Sequence, residues 1–437
     1  MFKFKIITIL LAISSFQYGF AQNLTETYQL ALENNPDLKS AYLNQYSISE
    51  IRSQSIAQML PNISFSGSSS RNKLNNNKNN FQGNGKQKYW NNSLTINLRQ
   101  PVFNWGHWVQ LSQSENRIAQ SEAQYQAISQ ALIVKTSEAY FNILSAQDTL
   151  EFTTSEKNAI ERQLEQAKQR FDVGLIAITD VYEAQAGYDQ SIANEIDAIN
   201  LLDDSKENLR EIIGENEAKL KSLKNNIPMN LPEPVDINSW SETAEKNNFN
   251  IVAQLNQTEV ARKEVNLKQS DHLPVISLVA NYGAQDNTST FGSRGETQSV
   301  GLEFNLPLFE GGGTYSRAKQ AEFDFQREKE NLIKVKRSVT RQVRNAYRDV
   351  ISSLSRVKAL YATVKSSKSA LEATEAGFQV GTRTMVDVLA EQRNLYRSMR
   401  DYSRSRYDYL INSIKLKEAA GSLSEGDLQE INKYLLI

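Results

Sequence analysis

The chain has 437 residues, a formal net charge of −1 and no cysteine. A near-neutral balance gives no electrostatic footprint for nucleic acid, and the missing thiols exclude disulfides, thiol catalysis, thiolate metal sites and a lipid-modified N-terminal cysteine. Only His107 and His272 are left for a hydrolytic triad or a histidine metal centre, so no catalytic residue, metal or cofactor is expected.

In chain order, residues 1–21 read as a signal peptide. Lys3 and Lys5 make a basic start, Ile6 to Phe16 is a short apolar core, and Gly19-Phe20-Ala21 supplies small residues for cleavage. The apolar core is too short to span a bilayer. The remainder of the chain is written twice. Leu60-Pro61 recurs as Leu273-Pro274 and Asn34-Asn35 as Asn247-Asn248. Ala139-Tyr140 recurs as Ala346-Tyr347, Gln185 as Gln392, and Gly214 as Gly421. Constant offsets of this kind mark an internal repeat. The first repeat is expected over 22–213 and the second over 237–420. A linker over 214–236 joins them and a short segment over 421–437 ends the chain.

Each repeat carries the same series. A helical run, Leu24 to Met59 or Ile237 to Asp271, ends at Pro61 or Pro274, because proline cannot continue a helix. Two strands come after it, expected over 62–72 and 89–103, then over 275–283 and 298–309. Leu94, Ile96 and Leu98 alternate with Thr95, Asn97 and Arg99, and Val300, Leu302 and Phe304 with Gly301, Glu303 and Asn305. That is period two, with one apolar and one polar face. The Asn-, Gly- and Ser-rich links Arg71–Asn92 and Gly283–Gln298 read as long exposed loops. Gly311-Gly312-Gly313 reads as a strand-to-helix bend. Phe103, Trp105, Trp108 and Phe309 read either as a membrane-interface belt or as packing where strands meet helices.

Long helical hairpins come next, over 109–213 and 314–420. From Val109 to Arg170 there is neither proline nor glycine, which allows a helix on the order of 90 Å. Leu111, Ile118, Tyr125, Leu132, Ala139 and Ala146 recur every seventh position, a seam for side-by-side coiled-coil packing. The seam is thin and the remaining faces are polar, so such helices form a wall one layer thick rather than a bulky core. Each hairpin turns at a glycine, Gly174 or Gly381, since glycine reverses a helix through positive φ without steric cost. Asp180 and Asp387 then restart the helices.

Four strands are too few for a barrel, and an open sheet in lipid would leave two bare edges. Several chains must therefore share one barrel, eight strands from two chains or twelve from three. The alternatives are a soluble two-repeat bundle, a diffusion porin and a barrel-anchored adhesive coiled coil. The signal peptide and symmetric strands oppose the first. The long helices oppose the second, and their polar inner walls oppose the third.

The runs AKQRFDVGLIAITDVYEAQAGYDQSIANE (167–195), EAGFQVGTRTMVDVL (375–389) and RYDYLINSIKLKEAAGSL (406–423), with ALENNPDLKSA near the start, resemble the TolC family of outer-membrane export channels over nearly the whole mature chain. The resemblance implies a mixed α and β fold: a homotrimer with a twelve-stranded barrel in outer-membrane lipid and an antiparallel helical tunnel in the periplasm. It also implies an equatorial patch from the segments after Gly214 and Gly421. The implied partners are a periplasmic adaptor and an inner-membrane transporter of RND, ABC or MFS type. The implied work is export of drugs or, by type I secretion, of proteins, with no reaction catalysed.

The resemblance further assigns gate links, Gln163 with Glu375 and Arg383 with Thr179 and Asp180. Phe378 stands where the family has a tyrosine bonded to the carboxylate at Asp180. Of two acidic rings at the family's entrance Asp387 keeps one, and Ala390 occupies the other. Thr384 and Asp387 also fit a helix capping box, so for Asp387 capping and pore lining stand side by side. Asp180 has the same capping alternative.

Overall fold

A computed structural model of the chain describes residues 22–76, 85–215, 219–224, 226–290 and 292–436; the signal peptide expected over 1–21 lies outside them. The elements in order are α1 (Leu24–Asn34), α2 (Pro36–Ala57), β1 (Asn62–Asn76), β2 (Gly85–Phe103), α3 (Trp105–Asp172), α4 (Ile178–Ile213), α5 (Ile237–Asn247), α6 (Phe249–Ser270), β3 (Val275–Asn287), β4 (Arg294–Asn305), α7 (Gly313–Gln379), α8 (Met385–Ala419) and α9 (Glu425–Asn432). Two compact units divide the described residues, one within 40–128 and 245–341, the other within 22–39, 129–244 and 342–436. No helix among the described residues is long and apolar enough to cross a membrane.

The first unit holds the sheet. Its strands are antiparallel in the order β1-β2-β3-β4, so β1 and β4 are open edges within one chain. Ile63 faces Leu98 and Phe65 faces Ile96, while Leu98 is next to Ala280 and Ala280 next to Val300. The pleat therefore gathers these apolar side chains on one face, where Ile63, Phe65, Leu94, Ile96, Val300, Leu302 and Phe304 are exposed. The opposite face carries Arg99, paired with Glu303. Beside the sheet, α3, α6 and α7 are joined by amide contacts. Gln113 donates to the Val260 carbonyl at 3.0 Å and to Glu264 at 2.9 Å, and Gln254 donates to Glu328 at 2.9 Å.

The strands outrun their expected ends. Residues read as loops extend β1 to Asn76 and begin β2 at Gly85, β3 to Asn287 and β4 at Arg294. Polar side chains meet at these extensions: Arg294 pairs with Asp286 across the β3–β4 ladder at 3.1 Å, and Gln87 donates to the Thr290 hydroxyl at 2.8 Å. Where neither face needs to be apolar no alternation is imposed, so the signal for strand disappears while the strand continues. At the other end β4 stops at Asn305, and 306–309, expected as strand, lie outside it; Pro307 has no N–H for a ladder. Gly311 and Gly312 then adopt positive φ, 63° and 83°, before α7.

The two early helical runs are each two helices. Asn35 is extended (ψ 122°) and its side chain accepts from Leu38 N at 3.0 Å, so α2 restarts on Pro36, whose missing N–H costs nothing at a first position. Asn248 repeats this by accepting from Asn250 N at 3.0 Å. The asparagines that mark the repeat are thus helix caps.

The second unit buries Tyr140, Phe141, Leu144, Val343, Tyr407 and Ile414 between its helices. Its linker segments are stitched together. Gln22 bridges Leu220 in parallel, Leu223 bridges Leu435 antiparallel, and the Tyr140 hydroxyl donates to the Lys221 carbonyl at 2.8 Å. The segment after Gly421 forms the short helix α9, capped by Ser424 and Asp427. Polar clasps join α3 to α8: Tyr407 donates to Asp148 at 2.8 Å, Ser403 bonds the same carboxylate, and Arg400 pairs with Glu156 at 2.7 Å. Glu156 is 2% exposed, and a buried carboxylate stripped of its cation costs about 3–5 kcal/mol. Arg400→Met should therefore lower the thermal midpoint of the detergent-solubilised protein, and adding Glu156→Leu should recover most of the loss. A wild-type midpoint in Arg400→Met would show that the clasp contributes nothing.

Candidate functional site at the hairpin tips

Both hairpins of the second unit turn by one device. At the end of α3, Leu175 N donates to the Arg170 carbonyl at 2.9 Å and Gly174 N to the Phe171 carbonyl at 2.8 Å. At the end of α7, Thr382 N donates to Gly377 at 2.9 Å and Gly381 N to Phe378 at 3.1 Å. These paired bonds close the last helical turn through a left-handed residue, and Gly174 and Gly381 take φ of 76° and 79°. The turns project apolar groups: Val173, Leu175 and Val380 are 70%, 73% and 75% exposed. Sequence reading concentrated on the glycines and passed over these neighbours, although aliphatic residues flanking a turn glycine are themselves a signal.

The two restarting helices differ. Thr384 caps α8 in a full box: its N–H and hydroxyl each donate to the Asp387 carboxylate at 3.0 Å, and Asp387 N donates back to the Thr384 hydroxyl at 3.3 Å. The Thr384 backbone bond leads the effects holding the Asp387 carboxyl below its ordinary range, followed by the Thr384 hydroxyl and the nearby Arg383 charge. At α4 the cap is Ala177, with no side-chain cap bond. Asp180 lies in the first turn, and among the described residues its carboxylate has no hydrogen-bond or ion-pair partner. One aspartate serves as a cap and the other is left available.

Gln163, Glu375 and Phe378 are brought to one cavity of about 330 Å³, with Arg162, Arg170 and Gln392 also in its lining. The amide oxygens of Gln163 and Gln392 are buried there without hydrogen-bond partners among the described residues. Phe378 has no hydroxyl to offer Asp180, but the Arg170 guanidinium stacks 5.0 Å from its ring centre, a cation–π contact between α7 and α3. Beneath, Ile160, Leu164, Ala167, Ala184, Met385 and Leu389 form a small core.

Arg383 and Thr179 are exposed on separate hairpins. Among the described residues, no bond within the chain joins Arg383 to Thr179 or Asp180. The stem of Arg383 lies against the end of α7: a Cβ on Gly377 would come within 2.8 Å of Arg383 Cγ. Away from the tips, Phe103, Trp105, Trp108 and Phe309 are exposed where the sheet ends, Phe309 at 86%, so they are not core packing within one chain.

The family of outer membrane efflux proteins matches residues 27–215 and 240–422. The chain is 38% identical over 423 residues to outer membrane protein TolC of Vibrio cholerae, covering 96% of this chain and 95% of that one. It is 29% identical over 417 residues to alkaline protease secretion protein AprF of Pseudomonas aeruginosa, covering 94% and 87%. The fold matches the crystal structure of the Campylobacter jejuni CmeC outer membrane channel with a TM-score of 0.80 at 18% identity, over 95% of this chain and 90% of that one. The chain belongs to the outer membrane efflux protein family: three copies close one twelve-stranded barrel in the outer membrane and continue it as a helical tunnel in the periplasm.

Proposed function

We propose that this export channel carries small toxic compounds and secreted proteins as a passive duct that catalyses no reaction, and that its hairpin tips are its gate. The observation that carries the reading is the tip itself: Val173, Leu175 and Val380 face water at the ends of otherwise polar hairpins. Exposed aliphatic groups at a rigid turn are the usual mark of a protein contact, here with a periplasmic adaptor that brings an inner-membrane pump. The name of the AprF relative, a protease secretion protein, supports protein cargo.

The gate is held between chains. The Asp180 carboxylate has no partner among the described residues of its own chain and Arg383 is exposed on the other hairpin, so in the trimer Arg383 reaches Thr179 and Asp180 of a neighbouring copy. Each such exposed pair contributes about 0–1 kcal/mol, and three copies give the few kcal/mol that an adaptor can overturn. Gln163 and Glu375, which line one cavity and are not bonded to each other among the described residues, are the second link of the gate, and the Arg170–Phe378 stack stands in for the hydroxyl link that the tyrosine-bearing relatives make. Asp387 serves both readings. One carboxylate oxygen completes the cap, and the charge, repeated threefold, forms a ring at the entrance that concentrates cations. The stitched segments 214–236 and 421–437 form the equatorial belt, and Phe103, Trp105, Trp108 and Phe309 an aromatic girdle at the periplasmic face of the membrane.

Each of these assignments has a measurable outcome. In planar bilayers Arg383→Ser should raise single-channel conductance several-fold, and conductance equal to wild type contradicts the latch. Leu175→Asp with Val380→Asp should abolish in-cell crosslinking to the adaptor and export while leaving trimer and conductance intact; undiminished crosslinking would place docking elsewhere. Block by a multivalent cation should persist as pH falls through the ordinary carboxylate range and vanish only below it, since the Asp387 carboxyl is held low, and Asp387→Asn should remove it at every pH. Block that survives in Asp387→Asn puts the cation site on other groups.

A further inference from the structure

The lipid-facing side of the sheet does not end with its apolar band. On β2 the residues that share a face with Leu94, Ile96 and Leu98 continue through Asn92 to Trp90, Lys88 and Lys86. The register places Arg71 opposite Trp90 and Lys73 opposite Lys88, so these two join the same face. Arg71, Lys73, Lys86 and Lys88 are all exposed. The Arg71 guanidinium lies 5.7 Å from the centre of the Trp90 ring.

The four cations have no counter-charge on their own hairpin. From Asn62 to Phe103 the sequence contains no aspartate or glutamate. Lys73 and Lys88 are directly opposed, and like charges at such a pair are destabilising. The neighbouring β3–β4 hairpin is arranged otherwise: Asp286 is paired with Arg294 at 3.1 Å and Glu296 sits beside the Tyr282 hydroxyl. Over 275–305 that hairpin carries Asp286, Glu296 and Glu303 against Arg294 alone, whereas the β1–β2 hairpin is basic throughout.

Position decides what this basic face meets. The helices extend from the ends of the strands near Asn62 and Phe103 into the periplasm, so the far ends, with Arg71 to Asn76 and Gly85 to Trp90, lie at the outer leaflet. From Trp90 to Phe103 the strand rises about 43 Å, or roughly 30 Å along the membrane normal at a tilt of about 45°. That is the thickness of the hydrocarbon, with Trp90 at its outer boundary and the lysines just beyond, at headgroup depth. Arg and Lys at that depth, with a tryptophan anchor, are the donors that phosphate oxygens accept from.

We propose that the outward face of the β1–β2 hairpin is a binding surface for the phosphate-bearing headgroup of an outer-leaflet glycolipid, held by Arg71, Lys73, Lys86 and Lys88 and flanked by Trp90. The surface ties each third of the barrel rim to the anionic lipid layer. It rests on the family's orientation in the membrane and is independent of the gate.

The test is native mass spectrometry of the detergent-extracted trimer titrated with diphosphoryl lipid A, with the same lipid enzymatically dephosphorylated, and with diphosphoryl lipid A in the presence of 10 mM inorganic phosphate. Wild type should bind the diphosphoryl form at least about tenfold more tightly than the dephosphorylated one, and inorganic phosphate should not displace it. The variant Arg71→Gln/Lys73→Gln/Lys86→Gln/Lys88→Gln should lose that preference, whereas Lys73→Arg/Lys86→Arg/Lys88→Arg should keep it. The pairs Arg71→Gln/Lys73→Gln and Lys86→Gln/Lys88→Gln, each expected to lose part of it, carry the test if the fourfold variant fails to trimerise. Equal binding of the two lipids by wild type, an undiminished preference in the glutamine variants, or full displacement by inorganic phosphate would each overturn the proposal.

Discussion

The backbone at the two open edges of the sheet governs the rest of this molecule. β1 and β4 each present a row of N–H and C=O groups with no strand partner among the described residues of their own chain. In water such an edge invites aggregation, and in hydrocarbon every unpaired group costs several kcal/mol. The apolar face that includes Ile63, Ile96 and Val300 commits the sheet to hydrocarbon. Closure by other copies is then the only arrangement that satisfies the ladder, and four strands from each of three chains complete a barrel wide enough to leave a lumen. The lumen face keeps Arg99 and Glu303 paired in water rather than in lipid.

The helices obey the same necessity by a different route. Their apolar seams are narrow and their other faces polar, so each hairpin needs lateral neighbours. Within the chain that need is met by clasps such as Arg400 with Glu156 and by aromatic packing of Phe141 against Tyr407, with ring centres 5.9 Å apart. At the tips the clasps thin out. The core there is small, and among the described residues two buried amide oxygens and the Asp180 carboxylate have no partner in their own chain. A region with few satisfied contacts is one whose arrangement can change at low energetic cost, which suits the gate proposed for it.

How much was legible in the residues depended on whether a single physical rule acted locally. Proline ends, glycine turns, the twofold repeat and the alternating strand faces each come from one such rule and were readable. The Asn35 and Asn248 caps were visible only as repeat landmarks, although Asn-Pro at a helical run is itself a break signal. Strand ends in water were misjudged because alternation is imposed by lipid and ceases with it. The Arg170 contact to Phe378 joins positions far apart in sequence and had no local signal. Asp387 kept two readings that sequence alone could not separate, and the structure adds the cap without removing the charge. In the candidate site the turns and the acidic restart were thus legible, whereas the exposed Val173, Leu175 and Val380 were hidden behind the glycines beside them.

Edge closure makes the number of copies the decisive quantity. The mass of the intact complex, extracted in mild detergent and measured by native mass spectrometry, tests it most directly. The account predicts a single species of three chains that dissociates only with loss of the folded barrel. A stable folded monomer, or a two-chain assembly with eight strands, would contradict it.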